Sequence, residues 1–314
     1  MVRIAVLGGS SQIAKDYIRL NAAMPEFSFT AFVRPESHLA TSKLFGDGVQ
    51  VRTYDDAEVE DCFDIVINCV GVGDPARAKS SQQTIVETSK KFDDLAIRMA
   101  SKNPLCKYIF LSSGVAYGID FETPASALTV PRNSFDASNV ADHYALAKFQ
   151  IEQYHRQLSE MQIYDLRVFG YFNHTMSVNF EFLLSKIARA ILQGRTFETS
   201  SDSIMRDYSN ANDFSLMINA LISGPDQNVA LDLYSQAPVE KFTLLETLSE
   251  NFGLNYTIVH QGEFHSPTGA KPKYYSENHS AEAFGFRPPQ TALETVKLEF
   301  SHLLSVAQVL TQEI

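Results

Sequence analysis

"VLGGSSQIAK" (residues 6–15) joins the end of an apolar strand, a pair of glycines and the start of a helix. A loop that wraps a pyrophosphate needs glycine, or the smallest substitute for it, at three places. These are where the backbone turns with positive φ, where it approaches the ligand, and where helix meets strand. In the spacing G-x-x-G-x-x-G, Gly8 fills the first place, Ser11 the second and Ala14 the third, with Gly9 adding freedom. The stretch therefore reads as a degenerate dinucleotide loop or as an ordinary strand-to-helix turn. Its position in the first strand and first helix favours the loop.

Working outward, RIAVLGG (3–9), FSFTAFVRP (27–35), GVQVRTYD (48–55), DIVINCVG (64–71), KYIFLSSG (107–114) and IYDLRVF (163–169) read as strands. Helical patterns lie between several of them at 11–24, 82–103 and 139–158. Apolar strands alternating with amphipathic helices predict a Rossmann-type α/β fold, a doubly wound parallel sheet covered on both faces. Residues 1–170 read as the dinucleotide-binding domain, with a crossback to its sheet near 205–235. Residues 171–314, which mix helices with short strands such as NVALDLYS and NYTIVHQ, read mostly as a smaller C-terminal α/β substrate lobe.

The 314-residue chain is 45% hydrophobic and 20% charged, which suits a globular fold. A net charge of −11 disfavours binding to nucleic acid or to an anionic membrane surface. Cys62, Cys69 and Cys106 form an odd set without CxxC spacing, as expected of reduced thiols in a cytoplasmic protein. The start, MVRIAVLGG, enters strand pattern at once, and no run is long and apolar enough to span a bilayer. The histidines, His143 and His174 among them, show no HxxxH or HExxH pair, so the sequence assigns no metal.

Two segments carry chemistry. YALAK (144–148) lies within a helical pattern, so Tyr144 and Lys148 share one face. FLSSGVAYG (110–118) places Ser113 at the carboxyl end of a strand, where open α/β sheets bind ligands. A phenol, an ammonium that favours its anion and a serine hydroxyl that orients a reacting oxygen make a proton-transfer set. At the end of the second strand stands Arg34, with no acid in that place. An acid there would hold the ribose 2′-hydroxyl of NAD, whereas a guanidinium suits the 2′-phosphate of NADP, with Ser10 beside it. Arg34 also reads as a solvated loop charge.

With these residues in place, the chain resembles the extended short-chain dehydrogenases/reductases, in particular those acting on nucleotide sugars. The resemblance rests on the Gly8/Ser11/Ala14 loop, NCVG (68–71), SSGVAYG, YALAK, LRVFGYF (166–172), MRDYSNANDF (205–214) and the tail KYYSENHSAEAFGFRPPQTALET. It implies Tyr144 as acid/base, Lys148 on the nicotinamide ribose and lowering the tyrosine pKa, and Ser113 on the substrate oxygen. It further implies cofactor contacts from Gly8, Ser10, Ser11, Gln12, Ile13, Val70 and Gly71, with Asp55 accepting from adenine. Arg206 is implied at the substrate pyrophosphate, with Lys273 as a second cation. Gly170 stands where related epimerases often carry an asparagine, and Asn173 is the candidate replacement.

The residue after the serine separates reactions within that family. Related 4,6-dehydratases place Asp-Glu there, and enzymes similar to GDP-fucose synthase place a cysteine; here the pair is Gly114-Val115. The expectation is therefore a ketoreductase that uses NADP(H) in preference to NAD(H) on a nucleotide-linked 4-keto-6-deoxy sugar. A 4-epimerase with retained cofactor and a noncatalytic NADP-binding protein are the alternatives. The family also pairs two long helices across a two-fold axis, which makes a homodimer the expected assembly, with Ile85, Phe92, Phe149 and Tyr154 as candidate contacts.

Overall fold

The computed structural model describes residues 1–57, 62–71, 84–136, 140–259 and 271–312. The expected helix starts at 82 and 139 and the end of NYTIVHQ fall outside the described residues. The first half of the chain runs β1 (Val2–Leu7), α1 (Gln12–Asn21), β2 (Phe27–Val33), α2 (Pro35–Phe45), β3 (Gln50–Thr53), β4 (Ile65–Asn68), α3 (Ile85–Ala100), β5 (Lys107–Ser113), α4 (Val140–His155) and β6 (Gln162–Val168). It continues with α5 (Leu183–Gln193), β7 (Phe197–Ser200), β8 (Met205–Arg206), α6 (Ala211–Ser223), β9 (Asn228–Leu233), β10 (Val239–Glu240), α7 (Lys241–Phe252), β11 (Tyr256–Val259), β12 (Lys273–Tyr274) and α8 (Ala292–Gln312).

Seven parallel strands form the main sheet in the order β3-β2-β1-β4-β5-β6-β9. The chain order reverses between β1 and β4, and such a switch point opens a crevice at the carboxyl ends of the strands. Strand alternation sends Ile4 and Val6 into one core cluster, with Tyr17, Phe214 and Met217, and Ala5 and Leu7 into another, with Leu95, Met99 and Ile151. Both faces of the sheet are thereby covered, which explains why its central strands are mostly apolar.

A third cluster, around Phe172, Ile187, Leu244, Leu248, Val296 and Phe300, is the core of the C-terminal lobe. There β8 runs between β10 and β12, and β7 pairs with β11. In MRDYSNANDF the strand ends before Asn210, whose side chain accepts from the Asn212 and Asp213 backbone while the Asp213 carboxylate answers the Asn210 N–H. This reciprocal cap starts α6. Among the described residues, no helix is long and apolar enough to cross a membrane.

The helices α3 and α4 pack together beside the sheet, and the residues named for an intersubunit contact divide. Ile85 is buried in its own chain, Phe92 lies on Tyr54 and Phe149 on Phe135, while Tyr154 is exposed under the Lys90 ammonium.

Candidate active site

Gly8 has φ +76°, and a Cβ there would stand 2.9 Å from the Cys69 carbonyl carbon and 3.0 Å from the Val70 nitrogen. Only glycine fits a left-handed turn pressed against the end of β4. The Gly8 and Gly9 N–H groups both donate to the Phe32 carbonyl, and Ser11 N–H donates back to Gly8 at 2.7 Å. Ala14, fully buried, closes the helix onto the sheet, with Ile13 packed on the same cluster. Ser11 begins α1, yet its hydroxyl makes no capping bond and is buried with no hydrogen-bond partner among the described residues. A buried, unpartnered hydroxyl at a helix N-terminus fits an incoming anionic oxygen, and the cradle therefore suits a pyrophosphate.

The rest of the proposed cofactor rim is distributed around this loop. Arg34 sits just before α2, exposed, with its guanidinium 3.2 Å from Glu36. Asp55 is exposed in a single turn after β3, where Asp56 is the residue that caps Thr53. Tyr54, which the sequence did not single out, accepts the Gly8 N–H at 2.9 Å and packs at a tilt on Phe92; burial pushes its phenol up to about 12. Val70 N–H is fixed by the Asn68 side chain at 3.0 Å. Gly71 follows, and a Cβ on it would come 3.6 Å from the Lys148 ammonium. Gln12 is turned toward Asp16 and Thr175, and Asn173 donates to the same Thr175 hydroxyl at 2.9 Å, so these two side chains tie α1 to the loop after β6.

Ser113 ends β5, and Tyr144 and Lys148 lie one turn apart on α4. The three meet as their spacing requires. The Ser113 hydroxyl lies beside the Tyr144 phenol and 3.1 Å from a second phenol, that of Tyr274 on β12. Lys148 is buried, with its ammonium on the Leu111 carbonyl, 4.2 Å from the centre of the Phe110 ring and 5.7 Å from that of Tyr144. Burial pulls the Lys148 pKa down to about 8 against the pull of Asp93, Cys69 and Glu152. At Tyr144 burial raises the phenol pKa, and the Ser113 hydroxyl only partly offsets it. Desolvation thus outweighs the lowering that the resemblance implied, and the phenol is held in its protonated form.

Two glycines near this centre are explained by close packing. A Cβ on Gly114 would stand 2.5 Å from the Phe169 ring, and one on Gly170 would stand 2.3 Å from the Asp207 carbonyl oxygen. The position after the serine can therefore carry no proton-transferring side chain, and an asparagine cannot replace Gly170. Asn173 lies nearby in sequence but is buried in the Thr175 contact.

On the lobe side, the Arg206 guanidinium donates to the carbonyls of Met205 and Lys271 and lies 5.9 Å from the centre of the Tyr274 ring. Its neighbour Asp207 accepts instead from the Ser235 backbone. Lys273 is exposed, because alternation along β12 sends it and Tyr274 to opposite sides. Lys271, which the sequence reading passed over, has its ammonium 6.0 Å from the Tyr274 ring centre. Tyr274 also packs on Phe121 and Phe169, at 4.8 and 5.1 Å between ring centres. The site thus joins a pyrophosphate cradle, a proton-transfer set and a cationic edge, and it can place a carbonyl between a hydride source and a phenol.

The model of the NAD dependent epimerase/dehydratase family matches residues 4–235. No curated protein matches the sequence significantly. Among solved structures, a UDP-glucose 4-epimerase from Thermotoga maritima with UDP-glucose superposes with a TM-score of 0.79 at 15% identity, covering 98% of this chain and 100% of that one. A UDP-glucuronic acid 4-epimerase from Bacillus cereus with UDP-glucuronic acid and NAD gives 0.79 at 13% identity, covering 97% and 100%. A dTDP-glucose 4,6-dehydratase from Bacillus anthracis with NAD gives 0.75 at 12%, covering 96% of each chain. At these identities the likeness is one of fold.

Proposed function

From the premise that the chain belongs to the NAD dependent epimerase/dehydratase family, we propose that it reduces a keto group, at C4, of a nucleotide-linked 4-keto-6-deoxy sugar. The observation that carries this reading is the Ser113 hydroxyl set beside the Tyr144 phenol, whose pKa it lowers, with Lys148 one helical turn further on. Bound nicotinamide would supply the hydride to the carbonyl carbon. Ser113 orients the carbonyl oxygen, and Tyr144, held protonated by burial, donates its proton to the oxygen as negative charge develops there. Lys148 faces Gly71 and the Leu111 carbonyl, in reach of a ribose at the end of β4. Gly114 offers no second acid or base, which fits one carbonyl and one proton rather than dehydration.

Gly8, Ser10, Ser11, Gln12 and Ile13 would line the pyrophosphate turn, with Val70 and Gly71 beside the nicotinamide and Asp55 at the adenine. NADP(H) is favoured over NAD(H) by Arg34, a guanidinium in solvent at the end of β2. Arg206 would meet the substrate pyrophosphate, with Lys271 as the second cation in place of the expected Lys273, which is exposed. Residues 1–170 with the returning strand would then hold the cofactor, and 171–314 most of the sugar nucleotide. Dimerisation through α3 and α4 belongs to the same reading.

The 4-epimerase reading uses the same residues with retained cofactor, and the 4-epimerases among the similar structures favour it. The two separate in one assay: loss of NADPH absorbance with 4-keto-6-deoxy sugars linked to CDP, dTDP, GDP and UDP, with NADH alongside. Stoichiometric oxidation with one nucleotide establishes the reductase. Interconversion of 4-hydroxyl epimers without net oxidation establishes the epimerase and overturns net reduction.

A further inference from the structure

Away from the proton-transfer set, the loop after β6 meets the C-terminal helix α8 at a group of donors that lie far apart in sequence. His174 comes from the loop, and Glu299 and His302 stand three residues apart on one face of α8. One ligand atom from each lies within 4.8 Å of the other two. The two imidazole rings are 5.3 Å apart at 82°. We propose that His174, Glu299 and His302 form a binding site for a divalent transition-metal ion, Zn²⁺ by the chemistry of its donors.

The carboxylate is already oriented. Glu299 is 4% exposed; one of its oxygens accepts the His174 backbone N–H at 2.8 Å, and the other accepts the Asn210 side chain at 2.8 Å. Asn210 is itself held by the cap of α6, so the carboxylate rests on two backbone-anchored donors, as supporting groups around metal ligands do. The His174 Nδ1 atom lies 2.8 Å from the same carboxylate, and the ring is 35% exposed on its outer side, where His302 is exposed as well. An ion can therefore enter from solvent with no opening of the core.

Two imidazoles and a carboxylate, with no thiolate, select zinc-like ions. Ca²⁺ and Mg²⁺ want six or more oxygens, and Cu(I) wants sulfur. Tetrahedral zinc with bonds of about 2.0 to 2.1 Å sets its ligand atoms roughly 3.3 Å apart. The exposed His302 side chain can make that small adjustment by a change of rotamer. Three protein ligands leave one position for water. The bound ion would fasten α8 to the loop carrying Asn173 and Thr175, and Thr175 already bonds Asp16 on α1.

The competing role for the trio is a plain hydrogen-bonded pin between His174 and Glu299. Substituting His302→Ala separates the two, because it removes a donor and leaves that pin intact. Untagged, chelator-treated protein is titrated with ZnCl₂ by calorimetry, and Co²⁺ is used in parallel to read coordination from its visible spectrum. The expected result is one equivalent of zinc bound by the wild type. His302→Ala and His174→Ala should weaken it by at least the roughly 10- to 100-fold that losing even a supporting group costs, with circular dichroism unchanged. Failure of the wild type to bind zinc, or equal binding by His302→Ala, overturns the proposal.

Discussion

The Ser113 hydroxyl lies 3.1 Å from the phenol oxygen of Tyr274, so a serine from the main sheet and a tyrosine from a two-residue strand of the C-terminal lobe share one hydrogen bond. A serine hydroxyl has one donor and two acceptor positions. Tyr274 uses one of them, which leaves positions that face the Tyr144 phenol and a substrate oxygen. Tyr274→Phe keeps the packing on Phe121 and Phe169 and removes the phenol's polar contacts, to Ser113 and to the Val115 backbone. A loss of about 1 to 1.5 kcal/mol, near tenfold in kcat/KM, is expected with NADPH binding unchanged. Steady-state kinetics beside a cofactor titration would show it; an unaltered kcat/KM would take Tyr274 out of the reacting centre.

Tyr144→Phe should lower turnover by about 10² to 10⁴, the usual contribution of a positioned acid, while leaving NADPH affinity near that of the wild type. Single-turnover NADPH oxidation gives the first quantity and fluorescence titration the second. Retention of full turnover would refute the proton relay.

Arg34→Asp exchanges a cation for an acid at the end of β2. NADPH affinity should fall by more than tenfold, about 1.4 kcal/mol or more, while NADH affinity falls less or rises. Because Arg34 touches only Glu36 among its ion pairs in the described residues, the fold should not suffer. Equal losses for both cofactors would show that the guanidinium does not meet the 2′-phosphate.

His155 is completely buried between Asp165, 2.6 Å away, and Asp93, 3.0 Å away. Burial opposes its charge, yet the two carboxylates outweigh that and hold its pKa up to about 9. Since the folded value exceeds the unfolded value near 6.5, the stabilisation is complete below pH 6.5 and is lost as pH rises through about 9, at roughly 1.4 kcal/mol per pH unit. Lys148 works the other way, its burial penalty easing only as pH climbs above about 8. Denaturant midpoints should therefore fall between pH 6.5 and 8. A flat profile across that interval would mean that His155 is neutral in the folded protein.

The central strands of the main sheet were legible because both of its faces are covered, so β1, β2, β4 and β5 are largely apolar. Helix α2 was not: in PESHLATSKLF only Thr41 is buried, so there is no apolar stripe to detect, and only terminal signals remain, Pro35 and Glu36 in the first turn, Lys43 in the last and Gly46 after it. Strands β8 and β12, two residues each, are set by their partners rather than by their own pattern. The same division runs through the site. Tyr144 and Lys148 are helix neighbours and could be read from spacing, whereas Tyr54, Lys271 and Tyr274 reach the site only through tertiary packing. Lys273 and Lys271 show the limit most plainly, since Lys271 precedes β12 and the course of the chain before the strand, not its pleat, brings that lysine to the ring.

Strand β9 comes from the second half of the chain yet lies along β6 from Ile163 to Val168 in the main sheet. Its Asp232 accepts from the Tyr117 and Ser276 hydroxyls and stands 3.8 Å from the Arg167 guanidinium. A fragment ending at residue 170 would expose a full ladder of backbone donors and acceptors on β6 and strand Arg167 without one of its two carboxylates. Such a fragment should self-associate through its bare edge instead of yielding an isolated nucleotide-binding half. Exchange of substrate lobes between relatives must accordingly carry α6 and β9 with the recipient's sheet rather than cut the chain once.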